Sequence, residues 1–162
     1  MTIKRRELKG LRVLVVEDDP LVAMVLQDYL EELEIITVGP VSDMDTALTT
    51  AKVEAFDLAL LDVNLAGALV YPVAEALSLR KIPFAFMTGQ DADRLPNSYG
   101  DLPSIQKPYG FGHIERYLRT TFGIPPEQIN PDPHSAQTTR STAAASSGLF
   151  FEATAAMADD QG

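Results

Sequence analysis

Residues 58–62 read Leu-Ala-Leu-Leu-Asp, an uninterrupted apolar run that ends in a carboxylate. A strand that is apolar at every position is buried on both faces, as the strands of a parallel sheet are. Open α/β sheets bind their ligands at the carboxyl ends of the strands, and Asp62 falls at such an end. This stretch therefore predicts a central parallel strand with a functional acid at its tip.

A second apolar run ends in three consecutive acids, Glu17, Asp18 and Asp19. Asp19 precedes a proline, and Asp followed by Pro is typical of the first residues of a helix, so Asp19 is predicted to cap one. Glu17 and Asp18 have no such role. If they lie beside Asp62, the like charges raise at least one carboxyl pKa. A hard divalent cation such as Mg²⁺ would relieve that repulsion.

The chain up to about residue 122 alternates strand-like and helix-like patterns. Strands are predicted at residues 11–16, 35–38, 56–61, 82–87 and 104–106. Helices are predicted from residue 20, from residue 42 or 43, from residue 72 and across residues 114–122. Such βα units indicate an α/β fold, a doubly wound five-stranded parallel sheet with strand order 2-1-3-4-5. In that order the two acid-tipped strands are neighbours.

Three local features are predicted within this pattern. The first helix buries one apolar face, made of Val22, Val25, Leu26, Tyr29, Leu30 and Leu33. Gly39-Pro40 ends the second strand. The fourth helix is short or irregular, because residues 88–104 contain Pro96, Gly100 and Pro103 and few apolar side chains.

Composition sets limits on domain number, environment and partners. The chain has 162 residues, a net charge of −10 and no cysteine. We expect one domain over residues 9–123, followed by a disordered tail over residues 124–162 that is rich in Pro, Ser, Thr and Ala. The acidic charge argues against nucleic acid as a partner, and the lack of cysteine excludes disulfides and thiolate metal sites. No segment has signal-peptide or transmembrane length, so we expect a cytoplasmic protein.

Thr88 and Lys107 end the last two predicted strands, at the same edge of the sheet as Asp62. Alone, each is a weak signal, because Thr-Gly is usually a turn and a lysine before proline is usually exposed. Together they offer a hydroxyl donor and a cation to phosphoryl oxygens. A carboxylate can attack phosphorus when a metal and cations neutralise the incoming oxygens. Asp62 is therefore a candidate nucleophile as well as a candidate metal ligand.

As a set, these motifs resemble the receiver domain of response regulators in two-component signalling. The matching stretches are residues 15–20, 60–65, 88–89 and 107–108, and the resemblance covers roughly residues 11–122. It implies that Asp62 accepts a phosphoryl group, that Asp18 binds Mg²⁺ directly and that Glu17 does so largely through water. It also implies a cis peptide bond between Lys107 and the following proline.

The resemblance assigns further roles at the edge of the sheet. The main-chain carbonyl of Asn64 would bind the metal, and Thr88 and Lys107 would hold the phosphoryl oxygens. Asn64 and Gln90, each two residues after a motif residue, would line the approach of the water that hydrolyses the phosphoryl group. Neither amide can act as a base at neutral pH, so hydrolysis of intermediate speed is expected.

The chain departs from the family in the segment between Thr88 and Lys107. Receivers usually carry an aromatic residue three positions before the lysine, where this chain has Ser104. Residues 86–89, Phe-Met-Thr-Gly, resemble the Phe-Ala-Thr-Gly signature of a receiver subgroup common in alphaproteobacteria. We expect residues 89–103 to be the switch, by ordering rather than by a ring flip.

The leading hypothesis is a stand-alone response regulator that is not an enzyme acting on other substrates. It would take a phosphoryl group from a histidine kinase or a histidine phosphotransfer protein, and signal by protein contact, phosphorelay or as a phosphate sink. The alternative is a protein-binding module that works without phosphorylation. A phosphatase with an aspartyl nucleophile would usually have an acid two residues after it, where this chain has Asn64.

Overall fold

The computed structural model describes residues 7–89, 99, 102–107 and 110–125. Its strands are β1 (Arg12–Val16), β2 (Ile36–Val41), β3 (Leu58–Asp62), β4 (Asn64–Leu65), β5 (Ala68–Leu69), β6 (Phe84–Thr88) and β7 (Ser104–Gln106). The helices among these residues are α1 (Pro20–Glu32), α2 (Met44–Val53), α3 (Tyr71–Leu79) and α4 (Phe111–Phe122).

Five strands form one parallel sheet in the order β2-β1-β3-β6-β7. Strands β4 and β5 form a separate antiparallel hairpin directly after β3, which the sequence did not predict. Without that hairpin, the order is the predicted 2-1-3-4-5, and the α/β fold class is confirmed. Val16 pairs with Leu61, and Asp62 pairs with Met87, so the carboxyl ends of the three central strands meet at one edge.

The sheet separates two apolar layers because successive side chains of a strand point to opposite faces. On one face Leu14, Val16 and Leu61 join the buried side chains of α2 and α3. On the other face Val13 and Leu60 join the buried side chains of α1 and α4. The central strands are thus covered on both sides, as their continuous apolar sequences predicted.

The prediction that β2 ends at Gly39-Pro40 is wrong, because the strand continues to Val41. The pairing with β1 shifts register between Leu14 and Val16, and this irregularity accommodates a proline, which has no N–H to donate. Gly39 has a φ of +89°, and a Cβ there would lie 2.8 Å from the Val41 nitrogen. Only glycine fits this close approach without displacing the backbone.

Helix α1 begins as predicted, with the Asp19 carboxylate accepting hydrogen bonds from the N–H groups of Leu21 and Val22. Its buried face differs from the prediction at two residues, Val25 and Ala23. Val25 is 44% exposed, whereas Leu26 and Leu30 are fully buried and the small Ala23 packs beside them. Val25 lies about 100° around the helix from Leu26, which turns it toward solvent.

Arg80, directly after α3, ties the ends of α2 and α3 together. Its guanidinium donates hydrogen bonds to the carbonyls of Ala51 and Glu54, at 2.6 and 2.8 Å. The same group lies 5.5 Å from the centroid of the Phe56 ring. One side chain therefore satisfies carbonyls that the last turn of α2 leaves without helical partners.

Several predictions fall on residues outside the described ranges. Among them are the short or irregular helix that was predicted within residues 88–104, Gln90 and the cis bond to Pro108. The predicted tail beyond residue 125 also lies outside the described ranges. The contacts of the chain divide it into Met1–Pro126 and Glu127–Gly162, and the second unit lies wholly outside the described ranges. None of the described helices is both long and apolar enough to cross a membrane.

Candidate functional site

Three predicted site acids come together at the carboxyl edge of the sheet. Glu17 and Asp18 follow β1, and Asp62 is the last residue of the neighbouring strand β3. One carboxylate oxygen from each lies within 4.8 Å of the others. Chain segments more than 40 residues apart in sequence therefore supply one cluster of oxygen atoms.

Lys107 joins this cluster from the end of β7. Its Nζ lies 2.9 Å from Oε2 of Glu17 and 3.3 Å from Oδ2 of Asp62. Its main-chain N–H donates to the carbonyl of Thr88, which fixes the start of the lysine side chain beside β6. Burial lowers the pKa of Lys107, but the hydrogen bond with Glu17 and the charge of Asp62 outweigh burial, so the pKa lies above its ordinary value. Lys107 therefore stays positively charged beside Glu17 and Asp62 at neutral pH.

Glu17 is buried, with its side chain 1% exposed. Its Oε1 accepts a hydrogen bond from the Asp19 main-chain N–H at 3.1 Å, and its Oε2 accepts one from Lys107. Both oxygens therefore have protein donors. This arrangement suits a carboxylate that acts on a metal through water rather than one that binds it directly.

The surroundings of Asp62 raise the pKa of its carboxyl group. Burial is the largest cause, and the negative charge of Glu17 is the next, while Lys107 acts in the opposite direction. The balance raises the pKa of Asp62 to about 6. The predicted rise in a carboxyl pKa is present, but loss of water contributes more to it than repulsion does.

Thr88 is the last residue of β6 and is 2% exposed. Register pairs Met87 with Asp62, so Thr88 lies one residue beyond the acid on the neighbouring strand. The threonine thus lies at the same sheet edge as Asp62 and Lys107.

Asn64 begins the β4–β5 hairpin, and its side chain has a role that sequence reasoning missed. Its Oδ1 accepts a hydrogen bond from the Gly67 N–H at 2.9 Å, which closes the turn of the hairpin. The same turn also contacts one of the site acids. The Ala66 N–H donates a hydrogen bond to Oδ2 of Asp18 at 3.0 Å. A main-chain N–H cannot be predicted as a donor from residue type, because every residue except proline has one. The nearby Asn64 and Gly67 are residue types that favour a turn, and they were the only indication of it in the sequence.

An aromatic residue packs against α3 and β6 from a position that the sequence did not predict. Ser104, at the start of β7, is exposed and stands where receivers usually carry an aromatic ring. Tyr99, five residues earlier, stacks on Tyr71 of α3 with ring centroids 4.9 Å apart. It also meets Phe86 of β6 edge to face, at 5.9 Å. The sequence contained Tyr99 but gave no sign of its partners, which are distant in the chain.

The donor atoms of the cluster fit a hard divalent cation. All three acids offer carboxylate oxygen, the ligand atom that such a cation prefers. Mg²⁺ keeps several waters and uses one or two carboxylates, which agrees with both Glu17 oxygens being already paired with protein donors.

Comparisons with known proteins agree with this geometry. A family model for the response regulator receiver domain matches residues 13–102. The solution structure of SdrG from Sphingomonas melonis is 39% identical, covering 70% of this chain and 96% of SdrG, with a TM-score of 0.61. The BeF3-activated conformation of SdrG from Pseudomonas melonis is 41% identical, covering 68% of this chain and 95% of that one, with a TM-score of 0.60.

A curated relative is longer than this chain. The transcriptional activator protein IrlR of Burkholderia pseudomallei is 33% identical over 114 residues, which is 68% of this chain and 49% of IrlR. The chain thus spans about half the length of that relative. The family match and the SdrG identities are sufficient to place the chain: it belongs to the response regulator receiver domain family.

Proposed function

We propose that this chain is a phosphoacceptor response regulator, in which Asp62 takes a phosphoryl group with the help of Mg²⁺. The observation that carries the proposal is the position of Asp62, whose Oδ2 lies 3.3 Å from the Lys107 ammonium and whose carboxylate clusters with those of Glu17 and Asp18. A nearby cation and neighbouring oxygen atoms that could hold a metal are what a nucleophilic carboxylate needs to accept a dianionic phosphoryl group.

Each residue has a stated part in the transfer. An Asp62 oxygen attacks phosphorus, a P–O bond forms, and the P–N bond of the donor phosphohistidine breaks with its electrons returning to the imidazole. Lys107 offsets charge on the phosphoryl oxygens, and the Thr88 hydroxyl donates a hydrogen bond to one of them. Asp18 and the Asn64 carbonyl would hold Mg²⁺, which supplies charge neutralisation at the transferring group. Glu17 keeps Lys107 in place, at 2.9 Å.

A BeF3-activated conformation of the similar SdrG supports this proposal, since BeF3 is chemically an analogue of a phosphoryl group bound to a carboxylate. The donor would be a histidine kinase or a histidine phosphotransfer protein. Kinase chemistry consumes ATP, so the proposal puts the chain in the cytoplasm. The net charge of −10 favours signalling by contact with a protein, by relay to another histidine or as a phosphate sink over binding nucleic acid.

The lifetime of the phosphoryl group is proposed to depend on Asn64 and Gln90. Asn64 lies two residues after Asp62 at the start of the hairpin, and Gln90 lies outside the described residues. If water approaches past these amides, bulky apolar replacements should slow hydrolysis. An unchanged rate in both variants would show that these positions do not control water access.

Intact mass spectrometry tests the proposal directly. The protein is incubated with acetyl phosphate and Mg²⁺, and the wild type should gain the mass of one phosphoryl group. Asp62→Asn, which keeps the shape but is a poor nucleophile, should gain none. Glu75→Gln on the exposed face of α3 is the matched control and should label as the wild type does.

Two results would contradict the assignment. Labelling of Asp62→Asn would place the acceptor elsewhere, and an unlabelled wild type, with acetyl phosphate and with a kinase, would favour the alternative of a binding module that works without phosphorylation. Turnover of a model phosphoester by the wild type would favour a phosphatase instead.

A further inference from the structure

The β4–β5 hairpin touches the acidic cluster through a main-chain group. The Ala66 N–H donates to Oδ2 of Asp18 at 3.0 Å, although the two residues are 48 apart in the chain. This contact is separate from the groups that hold Lys107 and Asp62. A side chain that binds a metal is commonly oriented by a second hydrogen bond of this kind.

The hairpin holds that N–H in a fixed place. Its strands pair Asn64 with Leu69 and Leu65 with Ala68, and Leu65 is buried in the core. The Asn64 side chain closes the turn through the Gly67 N–H. Ala66 has a φ of +50° and Gly67 a φ of +87°, so two successive residues adopt the left-handed conformation that points the Ala66 N–H at Asp18. An alanine adopts that conformation only when its surroundings impose it.

The bond engages Oδ2 of Asp18. It also fixes the rotation of the carboxylate. Mg²⁺ requires near-ideal octahedral ligands at short distance, whereas Ca²⁺ accepts flexible and bidentate ones. An Asp18 carboxylate that is already held in one orientation should therefore raise the affinity for Mg²⁺ more than the affinity for Ca²⁺.

We propose that the Ala66 main-chain amide positions Asp18, and that the β4–β5 hairpin thereby makes the site selective for Mg²⁺ over Ca²⁺. This inference rests on the metal site of the proposed function. It adds a positioning group from a part of the chain that carries none of the predicted metal-binding side chains.

An amide-to-ester replacement isolates the group. Ala66 is replaced by L-lactic acid, which removes the N–H and keeps the methyl side chain, and Mg²⁺ and Ca²⁺ dissociation constants are measured by calorimetry. The ester should bind Mg²⁺ about tenfold more weakly. Its affinity for Ca²⁺ should change by less, so the ratio of the Mg²⁺ dissociation constant to the Ca²⁺ dissociation constant rises. Ala66→Gly keeps the N–H and favours positive φ, so it is the matched control and should bind Mg²⁺ at least as tightly as the wild type.

The outcomes separate this inference from the proposed function. Equal Mg²⁺ affinity in the wild type and the ester overturns the positioning role and leaves the metal site standing. An equal loss of Mg²⁺ and Ca²⁺ affinity overturns the selectivity. A wild type that binds no Mg²⁺ overturns both the site and the inference. If the ester does not fold, Gly67→Ala replaces it: its added Cβ meets nothing within 4 Å, so it strains only the turn, and an unchanged affinity ratio in that variant overturns the inference.

Discussion

Asp62 carries an electrostatic cost in the folded protein that it does not carry in the unfolded chain. Its surroundings are mostly apolar strand residues, and Glu17 adds a like charge nearby. Lys107 removes only part of that cost, because its Nζ is closer to Glu17 than to Asp62, at 2.9 against 3.3 Å. The acid that is proposed to accept the phosphoryl group is therefore the group that gains most from a new positive neighbour.

This cost predicts a pH-dependent effect of Asp62→Asn on stability. The pKa of Asp62 is about 6 in the folded state and about 3.9 in the unfolded chain, so the folded state holds the proton more tightly. The contribution of Asp62 to the free energy of unfolding of the wild type is therefore largest below about pH 4. It declines as the pH rises to about 6. Without metal at about pH 8, Asp62→Asn should be more stable than the wild type by up to about 3 kcal/mol.

Urea denaturation at several pH values measures this difference. The advantage of Asp62→Asn should shrink as the pH falls toward 4. Glu75→Gln, at an exposed position of α3, should show no comparable trend. A constant difference between Asp62→Asn and the wild type from pH 4 to 8 would contradict the raised pKa.

At the same scale, the sequence allowed the acids and the lysine to be predicted but not the groups that hold them. Glu17, Asp62 and Lys107 are chemically distinctive and end apolar strands, so topology alone brings them together. The donor on Asp18 is a main-chain N–H of Ala66, and any residue except proline could supply it. The direction of this N–H depends on backbone dihedral angles, and the periodicity of apolar residues in the sequence does not predict those angles.

At the scale of elements, the Tyr99 ring attaches its own residue to α3 and β6. Its ring stacks on Tyr71 and meets Phe86 edge to face. Leu102, which donates its N–H to the Tyr99 carbonyl, packs against the same apolar layer. The described residues of the predicted switch segment are therefore attached to α3 and β6, while the proposed switching of residues 89–103 stays a prediction.

Removing the Tyr99 ring should loosen this attachment. Each aromatic pair contributes about 0.5–1.5 kcal/mol beyond its burial, so Tyr99→Ala should lower the free energy of unfolding by about 2 kcal/mol. Tyr99→Phe keeps both ring contacts and should lose much less. Chemical denaturation of the three proteins gives the comparison. Equal stability of Tyr99→Ala and the wild type would mean that the ring contacts of Tyr99 do not contribute to the stability of the domain.

Element boundaries were predictable where the signal was local and failed where it was tertiary. Asp19 before proline located the start of α1, and the residues of β7 were predicted without error. The end of β2 was wrong because a register shift at a sheet edge accommodates Pro40, and no neighbouring residue signals that shift. The β4–β5 hairpin was missed because strands of two residues have no measurable period.

At the scale of the whole molecule, the acidic cluster exists only when the domain is folded. Its parts come from the end of β1 and the end of β3, and Lys107 comes from the end of β7. The unfolded chain has no means of holding these groups together. A metal that binds the cluster must therefore act as a ligand of the folded state alone.

Mg²⁺ should accordingly stabilise the wild type. At a free concentration about 100 times Kd, the gain in the free energy of unfolding is about 2.7 kcal/mol. Asp18→Ala should lose most of that gain, and relief of repulsion among the acids should keep its metal-free form at least as stable as the wild type. Thermal melts with and without Mg²⁺ compare the two proteins.

Ionic strength needs a control in those melts. Salt screens the self-repulsion of a chain with a net charge of −10, so NaCl of equal ionic strength sets the baseline. A response of Asp18→Ala to Mg²⁺ as large as that of the wild type would argue against Asp18 as a ligand.

The contacts of Arg80 have a practical consequence for labelling. Helices of a parallel α/β sheet run back along the strands, so the ends of α2 and α3 that Arg80 joins lie at the amino edge of the sheet, away from the acids. Val53 and Leu79, the last residues of those two helices, are 71% and 82% exposed. The chain has no cysteine, so Leu79→Cys would create a single attachment point for a fluorophore or spin probe. Such a probe would lie beside the end of α3, which the hydrogen bonds of Arg80 join to α2. It would not contact the acids at the carboxyl edge of the sheet.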